Sequence, residues 1–108
     1  MDAENIVVFI TAKDVEQADK IARRLLGKKL VACVNTVGSI TSQYWWEGEI
    51  QKDTESLLII KSRQELFHEI EKEVKALHSY SVPEIIAVPI IDGNPDYLDW
   101  IKETVEQK

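Results

Sequence analysis

Hydrophobic residues follow two different spacings along the chain, and segments of the two kinds alternate. Some segments carry aliphatic and β-branched side chains in uninterrupted runs, which are typical of strands buried on both faces. Three of the predicted strands cover residues 5–11, 55–62 and 84–91, and the second starts near Leu30 and continues through Cys33 and Val37. We expect the second strand to bend at Gly38, and the fourth to lie at a sheet edge because its Pro89 lacks a backbone donor.

Other segments place apolar residues three or four positions apart, as amphipathic helices do. Asp14 precedes the first as a candidate N-cap, Ser62 begins a Ser-x-x-Glu capping box before the second, and Asn94 caps the third. The apolar faces consist of Val15, Ala18, Ile21, Ala22, Leu25 and Leu26; Leu66, Phe67, Ile70, Val74 and Leu77; and Tyr97, Leu98, Ile101 and Val105. The order βαββαβ plus a terminal helix predicts an α+β, ferredoxin-like sandwich, with two helices on one face of an antiparallel sheet. We expect residues 1–108 to form a single domain.

Three adjacent aromatic residues, Tyr44, Trp45 and Trp46, lie between the second and third strands, next to Glu47-Gly48. A glycine after an acidic residue, flanked by strand-forming residues, predicts the tip of a hairpin. A straight strand over residues 30–46 would reach roughly 55 Å, so we expect a break or a projecting arm. A tryptophan left in water forfeits about 1.5–3 kcal/mol of burial. We therefore expect another copy of the chain to cover these rings.

The predicted strands support the same conclusion about assembly. A sheet with helices on one face and water on the other should alternate apolar and polar residues. The first, third and fourth strands are instead apolar at successive positions. Because the chain has no further segment to cover the second face, we expect neighbouring subunits to cover it, which predicts an obligate oligomer.

Charge and composition exclude several classes of function. The chain has 13 basic and 19 acidic residues, a net charge of −6, and no basic face for nucleic acid or anionic membranes. Its longest apolar run, residues 85–91, is far shorter than the roughly 20 residues that span a bilayer. One cysteine, Cys33, cannot form an internal disulfide, and the acidic start Met1-Asp2-Ala3-Glu4 is unlike a signal peptide. We expect a cytoplasmic protein.

The sequence contains no catalytic motif, and we expect no enzymatic activity. Its densest cluster of reactive side chains is segment 78–85, which contains His78, Tyr80 and Glu84. Imidazole with a carboxylate suits copper or zinc, although a loop histidine and tyrosine equally well hold a loop by hydrogen bonds. Cys33 is a buried filler or a ligand.

Two further residues are candidates for a cleft. Glu55 and Lys61 lie near the ends of the third strand, where they line a cleft or form a salt bridge. Lys61 interrupts an apolar run, which favours a site in which another group pairs with its charge.

Several spaced motifs together resemble the CutA divalent-cation tolerance family over essentially the entire chain. The matching segments are Leu30-Val31-Ala32-Cys33-Val34-Asn35; Ser42 with Tyr44, Trp46 and Gly48; Lys61-Ser62; His78-Ser79-Tyr80; Pro83-Glu84-Ile85; and Tyr97-Leu98-Asp99-Trp100. The resemblance implies a ferredoxin-like homotrimer whose long hairpins join neighbouring subunits. It also implies a link to tolerance of copper and other divalent cations, without an assigned enzymatic activity.

The resemblance implies where a metal and a ligand would bind. Copper-binding members carry a thiol on the first strand and two successive histidines, where this chain has Ile10, Leu77 and His78. The implied metal site is therefore weak, with His78 and Glu84 as ligands for copper or another divalent cation. The expected inter-subunit cleft or interface residues are Tyr44, Trp45, Trp46, Glu55, Lys61 and Tyr80. The alternative is a signalling module like the PII proteins, which would bind a small effector in clefts between subunits.

Overall fold

The structure is a computed structural model, and it describes residues 4–107. Its elements are β1 (Asn5–Ala12), α1 (Val15–Gly27), β2 (Cys33–Trp46), β3 (Glu49–Arg63), a 3-10 turn (Gln64–Leu66), α2 (Phe67–Leu77), β4 (Ile85–Pro89) and α3 (Pro95–Thr104). The predicted order βαββαβ with a terminal helix is confirmed. Most of the acidic start, Met1 to Ala3, lies outside the described residues. No helix within residues 4–107 has the length and apolar character needed to cross a bilayer.

The four strands form one sheet in the order β2-β3-β1-β4, and all neighbouring pairs are antiparallel. Val8 of β1 lies opposite Ile60 of β3 on one side and Ala87 of β4 on the other. The position of β4 at the edge confirms the prediction made from Pro89.

The core lies between one face of this sheet and the helices α1 and α2. Alternate residues of β1 point into it, so Ile6, Val8 and Ile10 are buried while Val7 and Phe9 on the opposite face are only half-buried. The helices contribute fully buried side chains from the predicted faces: Ala18, Ile21, Leu25, Ile70, Val74 and Ile101. The amphipathic patterns therefore identified the buried positions only in part, because Val15, Leu26 and Tyr97 of the predicted faces are 53%, 43% and 39% exposed.

Two of the three predicted helix caps are confirmed. Asp14 Oδ1 accepts a hydrogen bond from the backbone N–H of Gln17 at 2.8 Å, and Asn94 Oδ1 accepts one from that of Asp96 at 3.0 Å. The capping box at Ser62 was wrong, because β3 continues to Arg63 and Ser62 lies inside it. Its hydroxyl donates instead to the carbonyl of Leu30 at 2.6 Å, so strand pairing overrides the local helix signal.

The second strand begins at Cys33, three residues later than predicted. Lys29 adopts φ 56°, and the N–H of Leu30 bonds to the carbonyl of Leu25 at 3.0 Å, so this segment closes α1. The fourth strand is shorter than predicted and comprises Ile85–Pro89.

The hairpin β2–β3 projects as an arm, which we define as residues 40–55. Glu47 (φ 50°) and Gly48 (φ 80°) both have positive φ, which confirms a two-residue turn at the predicted tip. The register of β2 against β3 shifts between Val37 and Ile40, so the predicted bend at Gly38 is also confirmed. Because of the arm, β3 starts at Glu49 rather than near residue 55.

The sheet face opposite α1 and α2 carries further apolar side chains. Phe9 and Val7 are half-buried there, and their partners Ile86 and Val88 on β4 are 51% and 42% exposed. At the tip of the arm, Trp45 is 72% exposed. Coverage of these surfaces by neighbouring subunits stays a prediction.

Candidate functional site

A cleft of about 610 Å³ opens between the arm and the loop that joins α2 to β4. Its wall is formed by β1, β2, β3 and the α2–β4 loop. The lining residues are Thr11, Ser42, Gln43, Tyr44, Trp46, Glu55, Tyr80, Ser81, Val82 and Glu84. The bulge at Gly38 precedes this part of β2, and the hydroxyl of Ser56 fixes it by donating to the Gly38 carbonyl at 2.9 Å.

Glu55 and Tyr80 form the most buried polar pair in the cleft. The Tyr80 hydroxyl donates to Glu55 Oε2 at 2.9 Å, and Glu55 is only 6% exposed. Burial, followed by this hydrogen bond and the Glu55 charge, raises the pKa of Tyr80 well above its usual range. Tyr80 therefore stays protonated at neutral pH and holds the loop against the base of the arm.

A second tyrosine–carboxylate pair lies farther along the arm. The Tyr44 hydroxyl donates to Asp53, and this hydrogen bond is the main cause that raises the pKa of Tyr44. The charge of Asp53 also contributes to the raised pKa of Tyr80. The two pairs thus belong to one electrostatic environment, although only Tyr44 of the outer pair lines the cleft itself.

His78 fastens the loop to β1 rather than facing the cleft. Its Nδ1 accepts from the backbone N–H of Tyr80 at 3.1 Å, so Nε2 carries the proton and donates to the Thr11 carbonyl at 2.7 Å. Its ring also packs against that of Tyr80, with centroids 4.7 Å apart. Next to it, Ser79 Oγ accepts from Gln17 Nε2 at 2.9 Å. The loop is therefore tied to both β1 and α1.

The predicted metal ligands His78 and Glu84 occupy different surroundings. Glu84 lines the cleft, whereas both ring nitrogens of His78 are engaged in hydrogen bonds. Metal binding by His78 would require one of those bonds to break. Within residues 4–107, no group of three or more His, Cys, Asp or Glu side chains is arranged to hold a metal ion. A site at His78 and Glu84 stays a prediction.

The structure brings four of the six predicted cleft or interface residues together: Tyr44, Trp46, Glu55 and Tyr80. Trp45 points away from the cleft lining, near the tip of the arm. Lys61 lies opposite Cys33 on the sheet face away from α1 and α2, where its ammonium group donates to the Asn35 side chain. Within this chain, Lys61 does not line the cleft.

Sequence reasoning missed the role of Asp53 and most polar residues of the lining. Asp53 was recoverable, because counting back from the turn at Glu47–Gly48 places it opposite Ser42, on the side of the hairpin that carries Tyr44. The missed lining residues are Thr11, Ser42, Gln43, Ser81 and Val82. Ser42 belongs to one of the motifs that resemble the family, but no sequence signal places Thr11, Gln43, Ser81 or Val82 in the wall.

The charged side chains that line the cleft are all acidic. Glu55 and Glu84 line it and Asp53 lies beside it, whereas no lysine, arginine or histidine side chain is among its lining residues in the described part of the chain. Such a wall attracts cations and repels anions. The arrangement is suited to binding a cation.

The sequence and the structure were compared with known proteins. The family model described as CutA1 divalent ion tolerance protein matches residues 6–104. The chain is 54% identical over 99 residues to the divalent-cation tolerance protein CutA of Archaeoglobus fulgidus, with 92% of this chain and 96% of the relative covered. It is 48% identical over 97 residues to the protein of the same name from Thermus thermophilus, with 90% and 94% covered.

A solved structure agrees with this assignment. The CutA structure from Archaeoglobus fulgidus, described as a periplasmic divalent cation tolerance protein, superposes with a TM-score of 0.92 at 52% identity and covers 94% of this chain and 99% of its own. The family match spans nearly all of the described residues, and relatives of nearly equal length share about half of their sequence. The chain therefore belongs to the CutA1 divalent ion tolerance family.

Proposed function

We propose that this protein contributes to tolerance of divalent cations by binding them weakly in the cleft between the arm and the α2–β4 loop. The observation that carries the proposal is a wall with two carboxylates and no basic side chain among the described residues. Its relatives are named divalent-cation tolerance proteins, which supports the same role. Binding, rather than catalysis, is the activity that such a wall supports.

We propose further that the working form is a homotrimer. Trp45 and Ile50 at the end of the arm are 72% and 63% exposed, which is unusual for side chains of this size in an isolated subunit. Both β2 and β4 are edge strands, so each has one row of unpaired backbone groups available to a neighbour. Assembly of equal subunits would cover the rings and the strand edges together.

The ligands of a divalent cation would come from the loop and the base of the arm. Carboxylate oxygens of Glu84 and Glu55 suit hard cations, and His78 supplies nitrogen for copper if its hydrogen bond to Thr11 opens. Because opening that bond untethers the loop, copper binding through His78 is expected to be weak. The cytoplasmic location stays a prediction, since the Archaeoglobus relative is described as periplasmic.

The test is calorimetric titration of copper into the wild type and into His78→Ala, Glu84→Gln and His68→Ala. His68 is the matched control, because it is the other histidine and lies exposed on α2. We expect weaker binding in the first two variants and unchanged binding in the control. Glu84→Gln removes a carboxylate ligand without releasing the bonds of His78. Equal binding by all four proteins would contradict the proposed site.

The volume of the cleft favours a second function. A space of about 610 Å³ is far larger than a metal ion requires, and it falls in the range of roughly 300–1,000 Å³ typical of small-molecule sites. We propose as the alternative a PII-like signalling module that binds a small effector there. Titration with a panel of effectors, compared with copper, separates the two functions.

A further inference from the structure

We propose that the cleft selects organic ammonium ions, and that its aromatic rings recognise them together with the buried carboxylate of Glu55 and the exposed carboxylate of Glu84. This inference deepens the second proposed function, because it names the chemical class of the small effector. It rests on three features of the wall. These are a buried charge without a cationic partner, three aromatic side chains, and the absence of cationic hydrogen-bond donors among its lining residues.

The first feature is the unbalanced charge of Glu55. The residue is only 6% exposed, and its hydrogen-bond partner is the neutral hydroxyl of Tyr80. No salt bridge to Glu55 occurs among residues 4–107. A buried carboxylate is unfavourable unless a cation or several donors compensate it. A ligand that carries a positive charge would supply the missing partner.

The second feature is the aromatic part of the wall. Tyr44, Trp46 and Tyr80 line the cleft and are 40%, 49% and 37% exposed, so part of each side chain is accessible to a ligand. The two tyrosine hydroxyl protons are already donated to Asp53 and Glu55. The tyrosines therefore offer ring surface rather than a donor, and ring faces attract ammonium groups through cation–π interaction.

The third feature is the absence of cationic donors for an anion. The remaining polar side chains of the wall are neutral: Thr11, Ser42, Gln43 and Ser81. A nucleotide or another phosphorylated effector would face Glu55 and Glu84 without a lysine, arginine or histidine of this wall to balance its charge. A bare metal ion would use the carboxylates and leave the aromatic surface unused. An ammonium ion with an apolar body uses both.

The test compares two probes of the same shape and different charge. Isothermal titration at neutral pH would use 2-phenylethylammonium chloride and neutral 2-phenylethanol, with ATP as the anionic probe. We expect the ammonium probe to bind at least about tenfold more tightly than the alcohol, since hydrogen bonds to charged groups are stronger than those between neutral groups. ATP should not bind. Equal binding of the two phenylethyl probes, tighter binding of ATP, or no binding of the ammonium probe would overturn the inference.

Matched variants locate the site. Glu55→Gln keeps the shape and an oxygen for the Tyr80 hydroxyl but removes the charge, so affinity for the ammonium probe should fall about tenfold or more. Trp46→Leu removes a ring and should weaken binding by about threefold or more, measured at a protein concentration at which sedimentation shows the same assembly as in the wild type. Glu103→Gln on α3 is the control, because it makes the same charge change outside the cleft lining. If Glu55→Gln does not fold, Glu84→Gln takes its place with the same expectation.

The outcomes distinguish this inference from the proposals on which it rests. Copper binding without ammonium binding would support divalent-cation binding and overturn the ammonium inference alone. Binding of an anionic effector would retain a small-effector function and overturn the ligand class. If a second copy of the chain supplies the cation for Glu55, the ammonium probe will not bind to the assembled wild type, and the inference is overturned.

Discussion

The two halves of β3 have the same backbone conformation and opposite surroundings. Residues 56–63 are buried or half-buried, because β1 lies on one side, β2 on the other and the helices cover one face. Residues 49–54 pair only with β2, and nearly all of them are exposed. The inner half is therefore stabilised by contacts with several elements of the subunit, whereas within residues 4–107 the outer half pairs only with β2.

This difference shows that one strand serves two purposes. Burial within the subunit supplies the stability of the inner half, and pairing with β1 fixes its position. The outer half keeps its charged side chains available to other molecules, beside the aromatic residues of β2 with which it pairs. The cleft lies where the two halves meet, so Glu55 is buried while Tyr44 and Trp46 on the adjacent β2 are partly exposed.

The largest expected effect is the difference in stability lost when a side chain is truncated in each half of β3. Leu58→Ala removes a fully buried side chain from the inner half and should lower the free energy of unfolding by about 2–5 kcal/mol. Thr54→Ala removes an exposed side chain from the outer half and should lower it by less than about 1 kcal/mol. Urea denaturation measures both. Similar losses would show that the arm is packed as tightly as the core.

The next effect concerns assembly. Trp46→Ala should raise the dissociation constant of the trimer and lower the melting temperature together, because folding and association are linked. Without the ring, the free energy gained by burying apolar surface should fall by roughly 1.5–3 kcal/mol. Sedimentation velocity at low micromolar concentration would show a trimer for the wild type and a mixture for the variant.

Leu26→Ala is the control for assembly, because Leu26 is 43% exposed on α1 and Trp46 is 49% exposed on the arm. It should leave the trimer intact. A monomeric wild type would refute the trimer, and a Trp46→Ala trimer with unchanged melting would refute Trp46 as an interface residue.

A smaller effect tests the tip of the arm. Gly48 has φ +80° and open space around it, so Gly48→Val should be destabilising through backbone strain alone, by about 1–2 kcal/mol. Gly27→Ala at the end of α1 also meets open space without a positive φ, and it should change stability little or raise it by up to about 1 kcal/mol. Thermal unfolding of both variants measures the contrast. Equal effects would mean that the turn does not constrain the hairpin.

The smallest expected effect concerns the ion pairs between α1 and α2, the helices that cover one face of the inner half of β3. Glu73 of α2 pairs with Arg24 at 3.1 Å and Lys28 at 3.3 Å on α1, and these bonds lower its pKa below the ordinary 4.5. Its contribution to stability is therefore present above pH 4.5 and lost as the pH falls through the lowered pKa. Urea midpoints at pH 7 and pH 3 should differ less in Glu73→Gln than in the wild type. An unchanged difference would assign the acid sensitivity to other carboxylates.

Patterns that depend on neighbouring residues predicted most of the fold. Helix faces repeat every three or four positions, so Ile21 and Ile70 were identified without knowledge of the sheet. Predictions failed where distant pairing decided the outcome. Ser62 carries a sound local capping signal, but pairing of Arg63 with Asn5 extends β3 past it. The late start of β2 instead has a local cause, the left-handed conformation of Lys29 at the end of α1.

The site was predictable in its residue types and not in its shape. The sequence singled out Tyr44 and Trp46 as large rings beside a hairpin tip, Glu55 as a charge near the end of a strand, and Tyr80 as part of the reactive segment 78–85. It could not show that Glu55 and Tyr80, 25 positions apart, form a hydrogen bond. It also could not show that His78 uses both ring nitrogens to hold the loop, since that depends on the position of the Thr11 carbonyl.

The bulge between Val37 and Ile40 has a consequence for how the reach of the arm can change during evolution. Beyond it, residues pair one to one up to the turn, from Ile40 with Glu55 to Trp46 with Glu49. Deleting or inserting one matched pair next to the turn would leave every pairing on the subunit side unaltered. Each such step would alter the length of the arm by about 3.3 Å. Related chains could therefore adjust the spacing between subunits without redesigning the subunit core.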